Sequence, residues 1–315
     1  MFLAEAHMRV VILGGTGFIG SALVKALLRA GHDVTVSSRR VRPQEGGGPA
    51  YARWDGQSPQ ALAEICKGAA AVVNLLGENI GAGRWTVARR EAIIQSRVRA
   101  GEAVSAAFAL LDKAGDALPK TLIQASASGW YGLWPDLATA PDCTEDAPAG
   151  SGFLAEVVRR WEASSAPVEA LGVRRVRIRT APVLGKGGGV LARMLPLYRW
   201  GLGGPAGTGR QPFPWIHLDD EAGAIVFLLE HPEISGPCNL CAPEQTDAAG
   251  FARALGGVLH RPAFLRVPAV VLRLALGQMA EELLLNGQRY APRKLLEAGY
   301  VFRYPNLDGA LAACV

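Results

Sequence analysis

Short apolar runs alternate with amphipathic stretches through the first part of the chain. Arg9–Leu13 (RVVIL) is a β-branched run that ends at Gly14, and residues 21–30 carry apolar side chains at helical spacing. Residues 34–36 (VTV) then predict a second strand. Strand, helix and strand thus follow one another within about 30 residues, which is typical of a βαβ unit.

The same alternation continues as far as residue 180. The predicted helices cover 61–66, 88–111 and part of 153–169, and the predicted strands cover 70–75, 121–125 and 175–180. Continuous apolar strands that alternate with helices are typical of a parallel sheet covered on both faces. The sequence therefore predicts an α/β fold of the Rossmann type, with a doubly wound parallel sheet.

Glycine and proline become frequent after Leu184, and the regular alternation fades. The elements predicted there are a strand end that leads into a helix at 217–230 and helices at 248–259, 269–285 and 293–298. Since 315 residues at about 150 per domain suggest two domains, we expect a Rossmann domain over 8–183. Residues 184–315 are expected to form a smaller, mostly C-terminal α/β substrate lobe, interleaved with the main domain around 212–235.

Composition excludes several classes of protein. Hydrophobic residues make up 50% of the chain and charged residues 19%, which excludes disorder. Five scattered cysteines do not form the framework of a disulfide-rich secreted domain, and no uninterrupted apolar run reaches the roughly 18 residues of a membrane span. The first seven residues lack the pattern of a signal peptide. We therefore expect a soluble, cytoplasmic protein with no membrane partner.

The net charge of +5 comes from 33 basic and 28 acidic residues. A nucleic-acid-binding protein would gather its basic residues in a stripe or a tail. Here the densest clusters, at 39–42 and 174–179, follow a strand or alternate with apolar residues. The charge pattern gives no support for a nucleic-acid partner.

A glycine-rich loop joins the first predicted strand to the first helix. Its sequence, GGTGFIG over 14–20, has the spacing G-x-x-G-x-x-G. The first glycine permits a tight turn, the second lets backbone approach a pyrophosphate, and the third lets the helix pack closely on the strand. The alternative is an ordinary glycine-rich βα turn. The residues expected to bind a dinucleotide are Gly14, Thr16, Gly17, Phe18, Ile19 and Gly20.

The end of the second strand indicates which dinucleotide is bound. NAD sites usually place an acidic residue there to bind the ribose 2′-hydroxyl, but this chain has Ser38, Arg39 and Arg40. A carboxylate would repel a 2′-phosphate, whereas arginine offers it bidentate hydrogen bonds. We therefore predict NADP(H) as the cofactor. The alternative is that these arginines only coat a loop.

Several further segments follow in order along nearly the whole chain. They are NLLGENI (74–80), RWT (84–86), SASGWYG (126–132), WE (161–162), GLGGPAGTGRQ (201–211), WIHLDD (215–220), NLCAP (239–243) and GQR (287–289). Together with the glycine loop they resemble the extended type of the short-chain dehydrogenase/reductase superfamily. The resemblance is closer to an atypical branch, the NAD-dependent epimerase-like proteins with a YfcH-type, DUF1731-containing C-terminal region.

The resemblance implies roles for residues at the ends of the predicted strands. Leu75, Leu76 and Gly77 occupy the place where such proteins pass backbone along the cofactor. Ser126 or Ser128 falls where the superfamily holds its catalytic hydroxyl, and Tyr131 lies in the adjoining Tyr-Gly pair. For each of these residues the alternative is a loop residue that caps the next turn.

The sequence departs from the superfamily at its Tyr-x-x-x-Lys motif, in which tyrosine is the general acid/base and lysine lowers its pKa. The corresponding stretch, 153–158, reads FLAEVV. A literal match at 290–294 (YAPRK) lies far beyond the expected helix, and Pro292 would disrupt a helical face between its two ends. Tyr131 is therefore the candidate acid.

Three further groups leave alternatives open. His217 with Asp219 and Asp220 is compatible with metal or acid/base chemistry, but we favour Asp219 as the cap of the next helix. The pair Cys238 and Cys241 has C-x-x-C spacing without a partner pair, so a structural role is expected and no metal site is predicted. Two alternatives also stay open for three side chains near the long helix, which either line the site or pack against the helix: Trp85, Arg89 and Arg97.

The expected function is hydride transfer by an NADP(H)-binding oxidoreductase or epimerase that acts on a carbonyl or sugar-nucleotide-like small molecule. The epimerase activity is what the resemblance implies, and the missing tyrosine and lysine weaken it. The rival is a catalytically silent NADP(H)-binding sensor or interaction protein, which keeps the fold without the chemistry.

Overall fold

A parallel sheet of seven strands lies at the centre of the part of the chain that the computed structural model describes, residues 7–40 and 46–315. The strands of the chain are β1 (Arg9–Leu13), β2 (Asp33–Ser38), β3 (Ala50–Arg53), β4 (Ala71–Asn74), β5 (Thr121–Ala127), β6 (Arg174–Thr180), β7 (Val183–Leu184), β8 (Ile216–His217) and β9 (Gly236–Leu240). The sheet has the order β3-β2-β1-β4-β5-β6-β9, and β7 pairs with β8 separately.

Helices connect these strands and cover the sheet. They are α1 (Phe18–Arg29), α2 (Pro59–Cys66), α3 (Val87–Ala114), α4 (Phe153–Ser164), α5 (Pro167–Ala170), α6 (Leu191–Arg199), α7 (Leu218–Glu230), α8 (Ala248–Leu259), α9 (Ala269–Leu276), α10 (Gln278–Ala280), α11 (Arg293–Glu297) and α12 (Leu307–Cys314). A 3-10 turn covers Ser128–Tyr131, and a π-helical turn covers Glu281–Leu285. None of the helices described is long and apolar enough to span a membrane.

Apolar side chains of β1 alternate between two cores. Val10 and Ile12 pack in the cluster that α1 and α7 cover, while Val11 and Leu13 pack in the cluster that α2 and α3 cover. Because successive side chains of a strand point to opposite faces, a strand buried on both faces needs an uninterrupted apolar run. The predicted doubly wound parallel sheet is confirmed.

The order of the strands creates a crevice between β1 and β4. The chain runs from β1 outward to β2 and β3, then returns to β4 on the other side of β1. Ligands of open α/β sheets bind outside the carboxyl ends of the strands at such a switch point. The register pairs Leu13 with Asn74, and the amide of Leu75 donates to the oxygen of Leu13 at 2.9 Å. The loops after β1 and β4 therefore start side by side.

The last strand of the sheet comes from the C-terminal part of the chain. β9 pairs with β6, and its sequence GPCNL begins with glycine and proline, so its apolar pattern is short. Residues 236–240 therefore join the main sheet beyond the 212–235 range in which interleaving was expected. Nearby, α8, α12 and α6 pack around Trp215 in a separate core. The division of the chain near residue 184 stays a prediction.

The expected capping of α7 by Asp219 was wrong. The helix begins at Leu218, and the Nδ1 atom of His217 accepts from the Asp219 amide at 3.1 Å. Burial lowers the pKa of His217, so its neutral ring is available as an acceptor. The acidic residues 219–221 do lie in the first turn, where they favour the positive end of the helix dipole.

A carboxylate from the C-terminal region caps helix α4. The Glu282 oxygens accept from the amides of Phe153 at 3.0 Å and Leu154 at 2.8 Å, and Gln278 donates to Glu282 at 2.7 Å. Gly152, with φ of +102°, precedes the helix without a side chain of its own to cap it. This contact ties the start of α4 to residues 278–282.

Candidate functional site

The glycine loop after β1 is held in a conformation that excludes side chains. Gly14 has φ of +86°, and a Cβ atom there would lie 3.3 Å from the carbonyl of Leu75. The amide of Gly17 donates to the Gly14 oxygen at 3.0 Å. A Cβ atom on Gly20 would lie only 2.2 Å from that same oxygen, so helix α1 starts directly against the strand end. The loop depends on glycine at both positions.

The N-terminus of α1 fits a phosphate group. Gly17 is the N-cap and supplies no side-chain cap, and the first turn contains no acidic residue. Thr16 and Gly17 are exposed. The first amides of a helix lack partners within the helix, and they lie at the positive end of its dipole. These backbone groups are therefore suited to the pyrophosphate of a dinucleotide.

A second glycine-rich loop covers the start of α1. Phe18 and Ile19 are half-buried, and a Cβ atom on Gly188 would lie 2.3 Å from the Phe18 ring. This loop, residues 185–189, leads from β7 into α6. From the sequence alone, these glycines indicated only that the regular alternation of strands and helices ends after Leu184. Their contact with Phe18 places residues 185–189 beside the predicted cofactor loop.

The end of β2 presents two arginines next to this loop. β2 pairs with β1 in parallel, with Ser37 opposite Leu13. The Ser38 hydroxyl accepts from the Arg40 amide at 3.2 Å, and the side chains of Arg39 and Arg40 are exposed. Among the described residues, neither guanidinium has a carboxylate within ion-pair distance. Both guanidinium groups are exposed at the end of β2, and their binding to a phosphate on the ribose stays a prediction.

The loop after β4 starts with a buried amide pair. The side-chain amide of Asn74 donates to Gln124 at 3.0 Å, and its oxygen accepts from the Leu76 amide at 3.2 Å. Leu75 and Leu76 are half-buried and Gly77 is exposed. These residues lie across the crevice from the glycine loop, and their role in cofactor binding stays a prediction.

Side chains of α3 hold the rest of this loop in place. Arg97 packs against Gly77 and donates to the backbone carbonyl oxygen of Glu78 at 3.0 Å, while Arg89 forms an ion pair with the Glu78 carboxylate. Burial lowers the pKa of Arg97 to about 10. Trp85 donates to the Ile80 oxygen at 2.8 Å. Of the three side chains that the sequence left open, Arg89 and Arg97 therefore bind the loop to α3, while Trp85, which precedes the helix, bonds within the loop.

The candidate catalytic hydroxyls lie close together in sequence but have separate partners. The Ser126 hydroxyl donates to Glu162 at 2.7 Å. The Tyr131 phenol donates to Asn239 and accepts from Arg179 at 3.0 Å, and burial raises its pKa. Ser128, Ser126 and Tyr131 are all buried. Their catalytic roles stay predictions.

Tyr290 belongs to this site although it is distant in sequence. Its ring stacks on that of Tyr131, with centroids 5.1 Å apart, and its phenol lies beside Ser128. Lys294 donates instead to the Ser235 oxygen at 3.0 Å, and α11 starts only after Pro292. The literal Tyr-x-x-x-Lys match is thus no helical pair, but its tyrosine reaches the candidate site.

A buried network of ion pairs joins helix α4 to strands β5 and β6 next to the candidate hydroxyls. Glu162 of α4 contacts Arg179 at 2.9 Å and Arg177 at 3.0 Å, in addition to Ser126. Arg179 also donates to the backbone carbonyl oxygen of Glu145 at 3.0 Å, and its guanidinium lies 4.0 Å from the Trp130 ring centroid. The alternation of arginines along β6 was the sequence signal for this network. Its carboxylate partner could not be assigned from that pattern.

A second buried carboxyl lies at the end of β6. The Thr180 hydroxyl donates to one oxygen of Glu221 at 2.8 Å, and the other oxygen has no hydrogen-bond partner within residues 7–40 and 46–315. Glu221 is fully buried, and burial raises its pKa to about 8. Its carboxyl group is therefore neutral between about pH 4.5 and pH 8, where a free glutamate is ionised.

This carboxyl should make stability depend on pH. A raised native pKa means that the folded chain binds more protons than the unfolded chain between about pH 4.5 and pH 8. Stability should therefore fall as pH rises through that window. We expect Glu221→Gln to unfold at nearly the same temperature as the unsubstituted protein at pH 5, and at a higher temperature at pH 9. Calorimetric melting at both pH values measures the difference. A difference independent of pH would contradict the assignment.

The C-x-x-C pair lies in the core, away from solvent. Cys238 and Cys241 are buried thiols whose pKa values are raised by burial. In the described residues, no three side chains of His, Cys, Asp or Glu gather where they could hold a metal ion.

Comparison with protein families assigns the chain. The model of the NAD dependent epimerase/dehydratase family matches residues 10–241. The chain belongs to this family. A domain of unknown function, DUF1731, matches residues 267–314. Both findings confirm the family resemblance, including the type of C-terminal region.

Curated members of the epimerase family cover the chain almost from end to end. An epimerase family protein of Mycobacterium tuberculosis (strain CDC 1551 / Oshkosh) is 40% identical over 313 residues, which are 97% of each chain. Epimerase family protein SDR39U1 of Bos taurus is 39% identical over 308 residues, covering 96% of this chain and 98% of its own.

Solved structures of epimerase-family proteins have the same fold. The crystal structure of human epimerase family protein SDR39U1 (isoform 2) with NADPH matches at a TM-score of 0.85 and 36% identity, covering 97% of this chain and 98% of its own. UDP-N-acetylglucosamine 4-epimerase from Bacillus cereus matches at a TM-score of 0.73 and 14% identity, with 97% of each chain covered. The second likeness shows the fold alone.

Proposed function

We propose that this epimerase-family chain binds NADP(H) and reduces a carbonyl group of a small molecule, in the cytoplasm. The observation that carries the proposal is the uncapped glycine-rich start of α1 beside the exposed guanidinium groups of Arg39 and Arg40. The human relative that shares its fold was crystallised with NADPH. The five free cysteines are compatible with a reducing compartment.

Each part of the cofactor has a counterpart in the chain. The first amides of α1 would hold the pyrophosphate, and Arg39 and Arg40 would bind the 2′-phosphate through charge-assisted hydrogen bonds. Residues 75–77 would pass along the cofactor on the other side of the crevice. Bound NADPH would supply the hydride. The protein must then orient the substrate carbonyl and deliver a proton to its oxygen.

The hydroxyl groups at the end of β5 are our candidates for that task. Ser128 would hold the carbonyl oxygen, and Tyr131 would supply the proton. A phenol is already protonated at neutral pH, and burial raises the pKa of Tyr131 further, which disfavours the phenolate that would act as a base. A protonated phenol can supply the proton that reduction needs, but the raised pKa makes it a weaker acid than a free tyrosine. Epimerisation that starts by oxidising an alcohol needs a base, so the site favours the reductive direction.

The test is a substrate screen in which NADPH absorbance is followed with carbonyl compounds and sugar nucleotides. On a substrate that turns over, we expect Tyr131→Phe to lower kcat by at least ~100-fold while NADPH affinity stays the same. The matched control is Tyr304→Phe, since Tyr304 lies in the C-terminal segment near Asp220. Unchanged turnover in Tyr131→Phe would exclude the phenol as the acid.

A silent cofactor-binding protein is the second candidate. The hydroxyls of Ser126 and Tyr131 are both engaged by buried side chains, with side chains only 4% and 5% exposed. Helix α4, where the superfamily motif was expected, contains neither tyrosine nor lysine. Tight NADPH binding with no turnover on any substrate in the screen would favour this candidate.

A further inference from the structure

Exposed apolar side chains are concentrated on one face of the C-terminal region. Of thirteen large apolar side chains exposed among the described residues, nine lie in two segments, 197–202 and 264–274. Scattered apolar residues are normal on a protein surface, but a contiguous group marks an interaction site. The nine are Leu197, Trp200, Leu202, Phe264, Leu265, Val267, Val270, Val271 and Leu274.

The two segments are joined by backbone contacts. The amide of Leu265 donates to the Gly203 oxygen at 3.2 Å, and the amide of Val267 donates to the Pro205 oxygen at 3.3 Å. The guanidinium of Arg261 donates to the oxygen of Arg199 at 3.2 Å. Residues 197–202 and 264–274 therefore form one continuous surface, which we call the α6–α9 face.

Helix α9 is unusual for an apolar helix because it has no buried residue. Its sequence AVVLRLAL contains a single polar side chain, Arg273. The most exposed side chains of the face are Trp200 at 82%, Leu274 at 77% and Phe264 at 74%. Side chains so exposed protrude from the surface rather than line a groove. A deformable acyl layer accepts such protrusions more readily than a rigid partner with preformed pockets does.

The charge of this region has one sign. The stretches 186–218 and 248–280 contain four basic residues of Arg or Lys type each, and no Asp or Glu. Arg199, Arg261 and Arg266 are exposed, with no carboxylate of the described residues in ion-pair distance, while Arg273 pairs with Glu281. Two copies of the face would bring arginine against arginine. The complement is an anionic surface.

We propose that the α6–α9 face docks on an anionic lipid surface. Its aromatic and aliphatic side chains would enter the boundary between headgroups and acyl chains, and its arginines would contact lipid phosphates. The face is assembled from two segments about 60 residues apart, so no single long apolar run in the sequence marks it. Attachment of this kind needs no membrane-spanning helix.

The test uses the full chain with vesicles of phosphatidylcholine, alone or mixed with phosphatidylglycerol. We expect roughly 10-fold tighter co-sedimentation with the anionic vesicles, weakened by added salt. Six of the seven tryptophans are buried or half-buried, so a blue shift of tryptophan fluorescence on binding would report on Trp200. The shift should disappear in Trp200→Phe.

Two double variants separate the contributions. Trp200→Ser with Leu274→Ser removes apolar contacts, and Arg199→Gln with Arg266→Gln removes charge; each should weaken binding by about 10-fold or more. The control, Val87→Ser with Val301→Ser, removes equally exposed apolar side chains outside the face and should bind as the unsubstituted chain does.

Three results would overturn the proposal. One is no binding to either vesicle, and another is equal loss in the control variant. The third is a dimer, seen by sedimentation without lipid, that the Trp200 and Leu274 substitutions dissolve, because the face would then be covered by a second copy.

Discussion

Gly20→Ala is expected to abolish NADP(H) binding and to destabilise the chain by about 3 kcal/mol. The added Cβ would lie 2.2 Å from the Gly14 oxygen, which is backbone and cannot rotate away as a side chain would. Helix α1 would have to move off the end of β1, and the amides that face the phosphate would move with it. Denaturant unfolding and cofactor titration measure the two effects.

The control for this substitution is Gly257→Ala in α8. Gly257 is also helical, but a Cβ atom there would meet no atom within 4 Å. Because alanine favours helix over glycine, we expect a gain of ~0.5–1 kcal/mol and unchanged cofactor affinity. If Gly20→Ala left stability and cofactor affinity as little reduced as Gly257→Ala does, the conformation of the glycine loop would not depend on close packing of α1 on β1.

Glu162→Gln is expected to cost ~3–5 kcal/mol of stability. Glu162 and Arg179 are 3% and 2% exposed, and Arg177 contacts the same carboxylate. Removing the negative charge would leave buried guanidinium groups without compensation, which costs more than the intact pair contributes. Chemical denaturation at constant pH measures the loss.

An exposed ion pair on the same helix provides the matched control. Glu156 contacts Arg160 at 2.9 Å, with side chains 40% and 50% exposed. Glu156→Gln should change stability by less than about 0.5 kcal/mol, because solvent screens the pair. Equal losses in Glu162→Gln and Glu156→Gln would contradict the account of a buried network.

The local part of the fold was predictable from the sequence. β1, α1 and β2 follow from apolar runs of the right period, and α8 was predicted with its observed ends at Ala248 and Leu259. β3 and β9 were not predicted. β9 begins with Gly-Pro, and in β3 only the cross-strand pair of Tyr51 with Val36 is apolar on both sides. These strands therefore form because β3 pairs with β2 and β9 pairs with β6, and their own apolar patterns are too short to predict them.

In the candidate site, too, the features formed by consecutive residues were predictable, and those formed by distant residues were not. The glycine loop and the arginines at the end of β2 are consecutive residues, and their local geometry follows from their sequence. Tyr290 stacks on Tyr131 and Glu282 caps the start of α4, in both cases across more than 100 residues of sequence. No periodic pattern records such contacts, because they form only when the C-terminal region packs on the sheet.

The central claim, that Arg39 and Arg40 make this an NADP(H) site, is tested most directly by titrating NADPH and NADH against the unsubstituted chain and Arg39→Ser/Arg40→Ser. We predict that the unsubstituted chain binds NADPH at least ~10-fold tighter than NADH. The double variant should lose that preference through weaker NADPH binding, with its NADH affinity retained. Equal affinity of the unsubstituted chain for the two cofactors, or a preference that survives both substitutions, would contradict the claim.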